Sequence, residues 1–147
     1  MDVQSPRTWS RGYASDGALA QVLAHELTHC VLFEIVARDG RAPEIPLWFV
    51  EGMASVTAGE RHDAASADAV TASKGLMRRD PKLVYGTADR AFRELVLRFG
   101  EGRVRALLAH LGESHAFPVA FREVMGVTLA EFEGDLQRRL SGTALRG

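Results

Sequence analysis

Between Gly17 and about Arg38 apolar residues recur at helical intervals, and His25, Glu26 and His29 stand in the middle of that run. Leu19, Val22, Leu23, Leu27, Val31, Leu32, Ile35 and Val36 follow three- and four-residue steps. The spacing predicts one long helix, capped by Ser15 or Asp16 and stopped by Gly40. Side chains four residues apart on a helix share a face and lie about 6 Å apart along its axis. The imidazoles of His25 and His29 can therefore converge on one ion. Glu26 sits roughly 100° around the helix from His25, too far to ligate with them. It can instead flank an open position on the ion and take a proton from water. A bland alternative exists: two histidines on the polar face of an ordinary amphipathic helix. The apolar neighbours Val22, Leu23, Val31 and Leu32 favour a zinc ion, because unpaired polar groups among them would be costly and coordination removes that cost.

A zinc site that does chemistry needs a third protein ligand and an open fourth position. The next predicted helix, Leu47–Ala58, starts after Pro46, a residue tolerated in a first helical turn, and ends at Gly59. Glu51 is a carboxylate in an otherwise apolar stretch, Leu47-Trp48-Phe49-Val50-Glu51-Gly52, where an unpaired charge would be unstable. It is the candidate third ligand, with a partly exposed surface glutamate as the alternative. Gly52 leaves room for another helix to approach closely. Ser55, one turn on, is a candidate acceptor for the free N–H of a ligand histidine.

Residues 60–80 are rich in Ala, Ser and Asp and carry little apolar material. Three further helices are expected at about Thr87–Phe99, Glu101–Leu111 and Phe117–Met125, punctuated by Gly100, Gly112 and Gly126. A last helix opens with the capping box Thr128-Leu129-Ala130-Glu131. The fold class is mainly α, in a single domain spanning 1–147. The net charge of −1 and the interleaving of Arg90, Arg93 and Arg98 with Glu94 and Glu101 offer nucleic acid no basic surface. Cys30, the one cysteine, excludes an internal disulfide and is read as a small buried residue. His62 is expected to face solvent, and His110 and His115 to flank a helix end. No run of about 18 apolar residues is seen, so no membrane span is expected.

His25-Glu26-Leu27-Thr28-His29, followed about twenty residues later by Pro46-x-Trp48-Phe49-Val50-Glu51-Gly52-x-Ala54, resembles the gluzincin metallopeptidases. Within them it looks most like the peptidase-MA-like proteins, and more distantly like the M1 aminopeptidases. The order of the later helices extends the likeness over about residues 17–140. The resemblance implies the helical half of a thermolysin-like zincin fold, with at most one or two short N-terminal strands. It makes His25, His29 and Glu51 the ligands of one zinc ion and Glu26 the general base. It makes Tyr85 a donor to the developing oxyanion; packing at a helix start with its hydroxyl in water is the other reading of that residue.

The implied activity is hydrolysis of peptide bonds in a peptide or protein substrate. The glycine-rich segment with which M1 relatives read a substrate's amino terminus is not seen. The runner-up is a zinc-stabilised scaffold or binding module without catalysis; the intact Glu26 argues against it, since a structural site needs no base. A regulatory protease acting on one dedicated protein is a third reading. Only twenty-four residues precede His25, room for about one strand, whereas gluzincins pair an edge strand with the extended substrate. The chain as it stands is therefore expected to bind zinc but to cleave generic peptides poorly. Residues 1–15 carry Asp2, Arg7 and Arg11 and no apolar core of a secretion signal, so a cytoplasmic location is expected, with export expected if the N-terminus is truncated. Oligomeric state has no signature in the sequence.

Overall fold

Four phenylalanines from three helices, Phe49, Phe117, Phe121 and Phe132, are wholly withdrawn from solvent and set where the helices meet. A computed structural model describes residues 16–37, 43–72, 74–113 and 116–144. Among them are seven α-helices: α1 (Asp16–Val36), α2 (Leu47–Thr57), α3 (Lys74–Arg79), α4 (Pro81–Phe99), α5 (Glu101–Gly112), α6 (Phe117–Met125) and α7 (Leu129–Ala144). A single 3₁₀ turn, Ala67–Ala69, precedes α3, and no strand occurs among the described residues. The mainly α class holds; any short N-terminal strand would fall in residues 1–15, outside those described.

The aromatic rings form a connected chain through the core. Phe49 on α2 meets Phe92 on α4 at 5.4 Å between centroids and Phe117 on α6 at 5.1 Å, and Phe121 meets Phe132 on α7 at 5.6 Å. Edge-on and offset contacts of this kind add to the roughly 1.5–3 kcal/mol that burial of each ring contributes. Trp48 completes the set, packing on Phe132 while its indole N–H donates to Glu133 at 2.8 Å.

The most extensive helix pairing is α2 against α4. Gly52 is the reason they come so close: a Cβ there would lie 2.3 Å from the Ala88 carbonyl oxygen. The close approach expected of Gly52 is realised, with α4 as the partner. α4 begins at Pro81, six residues earlier than the spacing suggested. Asp80 caps it by accepting from the Leu83 N–H at 3.1 Å, and Pro81 occupies the first turn, where a missing N–H does no harm. Tyr85 therefore lies inside a helix, not at its start. The Thr128–Glu131 capping box forms as expected, with both backbone N–H groups satisfied reciprocally, at 2.7 and 3.1 Å.

α1 forms where the spacing predicts a helix, but its apolar residues are not gathered on one buried face. His25, Thr28, Leu32 and Val36 make its buried stripe, but Leu23, Leu27, Val31, Phe33 and Ile35 are exposed, by 41–61%. Cys30 is exposed too, contrary to the buried position expected of it. The apolar residues are spread around the helix, so spacing alone could not say which of them face inward. One helix bears on the expectation of no membrane span. By length and composition alone, Gly17–Val36 is long and apolar enough to cross a membrane. Core helices and leader sequences share that length and composition, and this helix carries His25, Glu26, His29 and Glu34 along its length.

Candidate metal centre

The two helices that carry the candidate ligands, α1 and α2, pack against one another. Helical spacing on α1 turns His25 and His29 to the same side, with ring centroids 4.8 Å apart. Glu51 reaches toward them from the first half of α2, whose buried face (Trp48, Phe49, Gly52, Ala54, Ser55) is locked into the core. Its Oε2 lies 3.4 Å from His25 Nε2 and 3.4 Å from His29 Nε2. One donor atom from each of the three residues falls within 4.8 Å of the others, an arrangement that could hold a metal ion. The three residues singled out in the sequence are thus brought together.

The electrostatics fit a cation. Glu51 Oε2 is buried and has no hydrogen-bond partner among the described residues, the two imidazole nitrogens facing it from beyond good hydrogen-bonding geometry. A buried carboxylate oxygen left that way is costly unless a positive charge meets it. Burial pushes the Glu51 carboxyl up, but the two imidazoles outweigh burial and hold it at about 2. The Glu51 carboxylate in turn raises His25 above its ordinary value, against burial and with help from Glu60. Without a cation, a proton shared among these groups is the nearest substitute.

Glu26 is exposed and follows His25 directly on α1. Tyr85 projects from α4 into the same neighbourhood, half-buried, with its ring edge-on to His25 at 5.9 Å. Ser55 does not take the role expected of it: it is fully buried and its Oγ lies 3.5 Å from His62 Nε2, while His25 Nδ1 faces Glu60.

The residues that spacing missed are Glu60 and His62. His62, expected in solvent, stacks on the Tyr85 ring (5.9 Å, 17°) and lies 3.2 Å from Glu60 Oε2. Glu60 also faces His25 Nδ1 at 3.3 Å. Their placement follows from how α2 ends. Gly59 adopts φ 71°, its N–H donates to Val56 O, and the Glu60 N–H donates to Ser55 O, the pairing of a Schellman stop. That turn swings Glu60 back over the start of the site. Three contacts then hold the following loop on α4. Arg93, itself paired with Asp89, donates to the Glu60 carbonyl at 3.0 Å; Thr87 Oγ1 accepts from the Ser66 N–H at 3.0 Å; and Gly86 lies so near Ala64 that no Cβ fits between them. A helix ending in Gly59 was legible; the tertiary clamp was not. His110 donates from Nδ1 to Ala106 O within α5, and His115 lies outside the described residues.

Comparison with protein-family models, with curated proteins and with solved structures gave no match in any of the three.

Proposed function

We propose that this chain is a zinc-dependent peptidase of the gluzincin kind, with His25, His29 and Glu51 as the metal ligands. The observation that carries this reading is the orphaned Glu51 Oε2 facing two imidazole nitrogens at equal distances of 3.4 Å. A tetrahedral zinc ion with ligand bonds of about 2.0–2.1 Å separates its donors by about 3.4 Å. Two neutral nitrogens and one carboxylate form a donor set that suits zinc, and three protein ligands leave a position for water or substrate.

Bound there, zinc would supply Lewis acidity, favouring ionisation of water and polarising a scissile carbonyl. The chain's own side chains do the rest. Glu26, exposed and next to the ligand His25 on α1, accepts a proton from the attacking water and returns it to the leaving amine. Tyr85, on the His25 side, donates its hydroxyl hydrogen to the oxygen on which negative charge develops. Glu51 keeps the centre's net charge at +1 rather than +2, and the substrate is a peptide or protein.

The test is hydrolysis of a mixed peptide library by the zinc-loaded chain, read by mass spectrometry, against Glu26→Gln. Cleavage is expected to be slow and to fall by about 100-fold or more in the variant, with zinc content unchanged. If Glu26→Gln alters neither cleavage nor any other property, a non-catalytic zinc-stabilised scaffold replaces this reading.

A further inference from the structure

We propose that Glu60 is the carboxylate that orients His25 for the metal, and that His62 steadies Glu60; the inference rests on the metal site proposed above. A neutral imidazole can offer its Nε2 lone pair to a metal only while its proton sits on Nδ1. That Nδ1–H needs an acceptor, and metal-ligating histidines are commonly fixed by a carboxylate in this position. In this chain both Glu60 oxygens lie 3.3 Å from His25 Nδ1, one as a hydrogen-bond partner and one as an ion-pair partner. No other acceptor is recorded for that nitrogen among the described residues. The two ligand histidines differ here, because His29 Nδ1 is buried with no hydrogen-bond partner among the described residues.

Glu60 is built to hold its place. Its N–H donates to Ser55 O at 3.0 Å, its carbonyl accepts from Arg93 at 3.0 Å, and its Oε2 accepts from His62 Nε2 at 3.2 Å. His62 is held in turn by its stack on Tyr85. The residue sits nine positions after Glu51, delivered by the Gly59 turn, while Ser55 on α2 faces His62. Tyr85 touches both His25 and His62, so the same cluster sets the position of the phenol beside the metal. Glu60 and His62 are positioning residues: they act through His25 and Tyr85.

The experiment measures zinc affinity by competition with a chromophoric chelator for the full chain and for Glu60→Ala, Glu60→Gln and His62→Ala. The Nδ1–H proton resonance of His25 in the zinc-loaded proteins is recorded beside it. Glu60→Ala is expected to weaken zinc binding about 10–100-fold. Glu60→Gln, whose amide oxygen still accepts, is expected to recover most of that loss, and His62→Ala to weaken binding only a few-fold. The His25 Nδ1–H resonance should lie downfield in wild type, move little in Glu60→Gln, and shift upfield or vanish by exchange in Glu60→Ala. Wild-type affinity and an unmoved resonance in Glu60→Ala would overturn the inference and leave the metal site standing. Should Glu60→Ala not fold, Glu60→Leu, which keeps the bulk and removes the acceptor, decides: weakened zinc binding with a His25 resonance shifted upfield or lost by exchange supports the inference, and wild-type affinity with an unmoved resonance overturns it. A wild-type chain that takes up no zinc would remove the metal site and this inference together.

Discussion

α1 and α2 each contribute to the same three-residue cluster, yet they are held in opposite ways. α2 is pinned by Trp48 and Phe49 in the aromatic core and by Gly52 against α4, so Glu51 stands on a rigid base. α1 is seated by one narrow stripe, His25, Thr28, Leu32 and Val36, while five large apolar side chains on its other sides remain exposed. Two members of the cluster lie on the poorly buried helix and one on the well-buried helix. The difference teaches that hydrophobic packing alone positions Glu51, whereas His25 and His29 depend more on the polar contacts of the site itself.

The comparison breaks most plainly through stability. Phe49→Ala empties a fully buried position and is expected to cost about 3–5 kcal/mol in urea unfolding. Leu27→Gln, at a position 61% exposed on α1, is expected to change stability by no more than about 0.5 kcal/mol. Comparable losses from the two would show that α1 is packed as tightly as α2.

Metal sharpens the contrast. Free zinc at 100 times its dissociation constant should add about 2.7 kcal/mol to the folded state. Hydrogen exchange should show the gain in protection concentrated in α1, the helix with less packing of its own, and smaller in α2. Equal gains in both helices would contradict the account.

A smaller effect tests the α2 side. Burial raises the Glu133 carboxyl above its ordinary value of 4.5, opposed by the hydrogen bond from Trp48. The folded chain therefore holds that proton more tightly than the unfolded chain. Its stabilising contribution is full below pH 4.5 and is lost as pH rises through the raised folded value. Glu133→Gln keeps an acceptor for the indole and removes the charge. At pH 7 it should equal or exceed wild type by less than about 1 kcal/mol, an effect reduced by the side chain's partial exposure. The gain should disappear near pH 4, where the wild-type group is itself protonated. A gain that persists there would assign it to some cause other than charge.

Much of this was readable from residues. Helical spacing joined His25 to His29, an isolated carboxylate in an apolar helix marked Glu51, and Gly52 announced a close neighbour. Thr128 and Glu131 announced a helix start. Each of these signals is local, decided within one or two helical turns. What was not readable is tertiary. Glu60 and His62 lie in a stretch without periodicity, and they reach the site only because Gly86, Thr87 and Arg93 on a distant helix hold that stretch down. The Asp80–Pro81 start of α4 was a local signal overlooked in favour of the apolar run after Tyr85. The exposed flank of α1 could not be foreseen either, because a helix apolar on nearly every side does not declare which side is covered.

The central claim is that His25, His29 and Glu51 bind one metal ion. Elemental analysis of zinc per chain, on wild type and Glu51→Ala prepared in parallel, tests it most directly. The account predicts about one zinc per wild-type chain and sharply weakened binding in the variant. A wild-type chain that stays free of zinc after reconstitution, or a variant that binds it equally well, would contradict it.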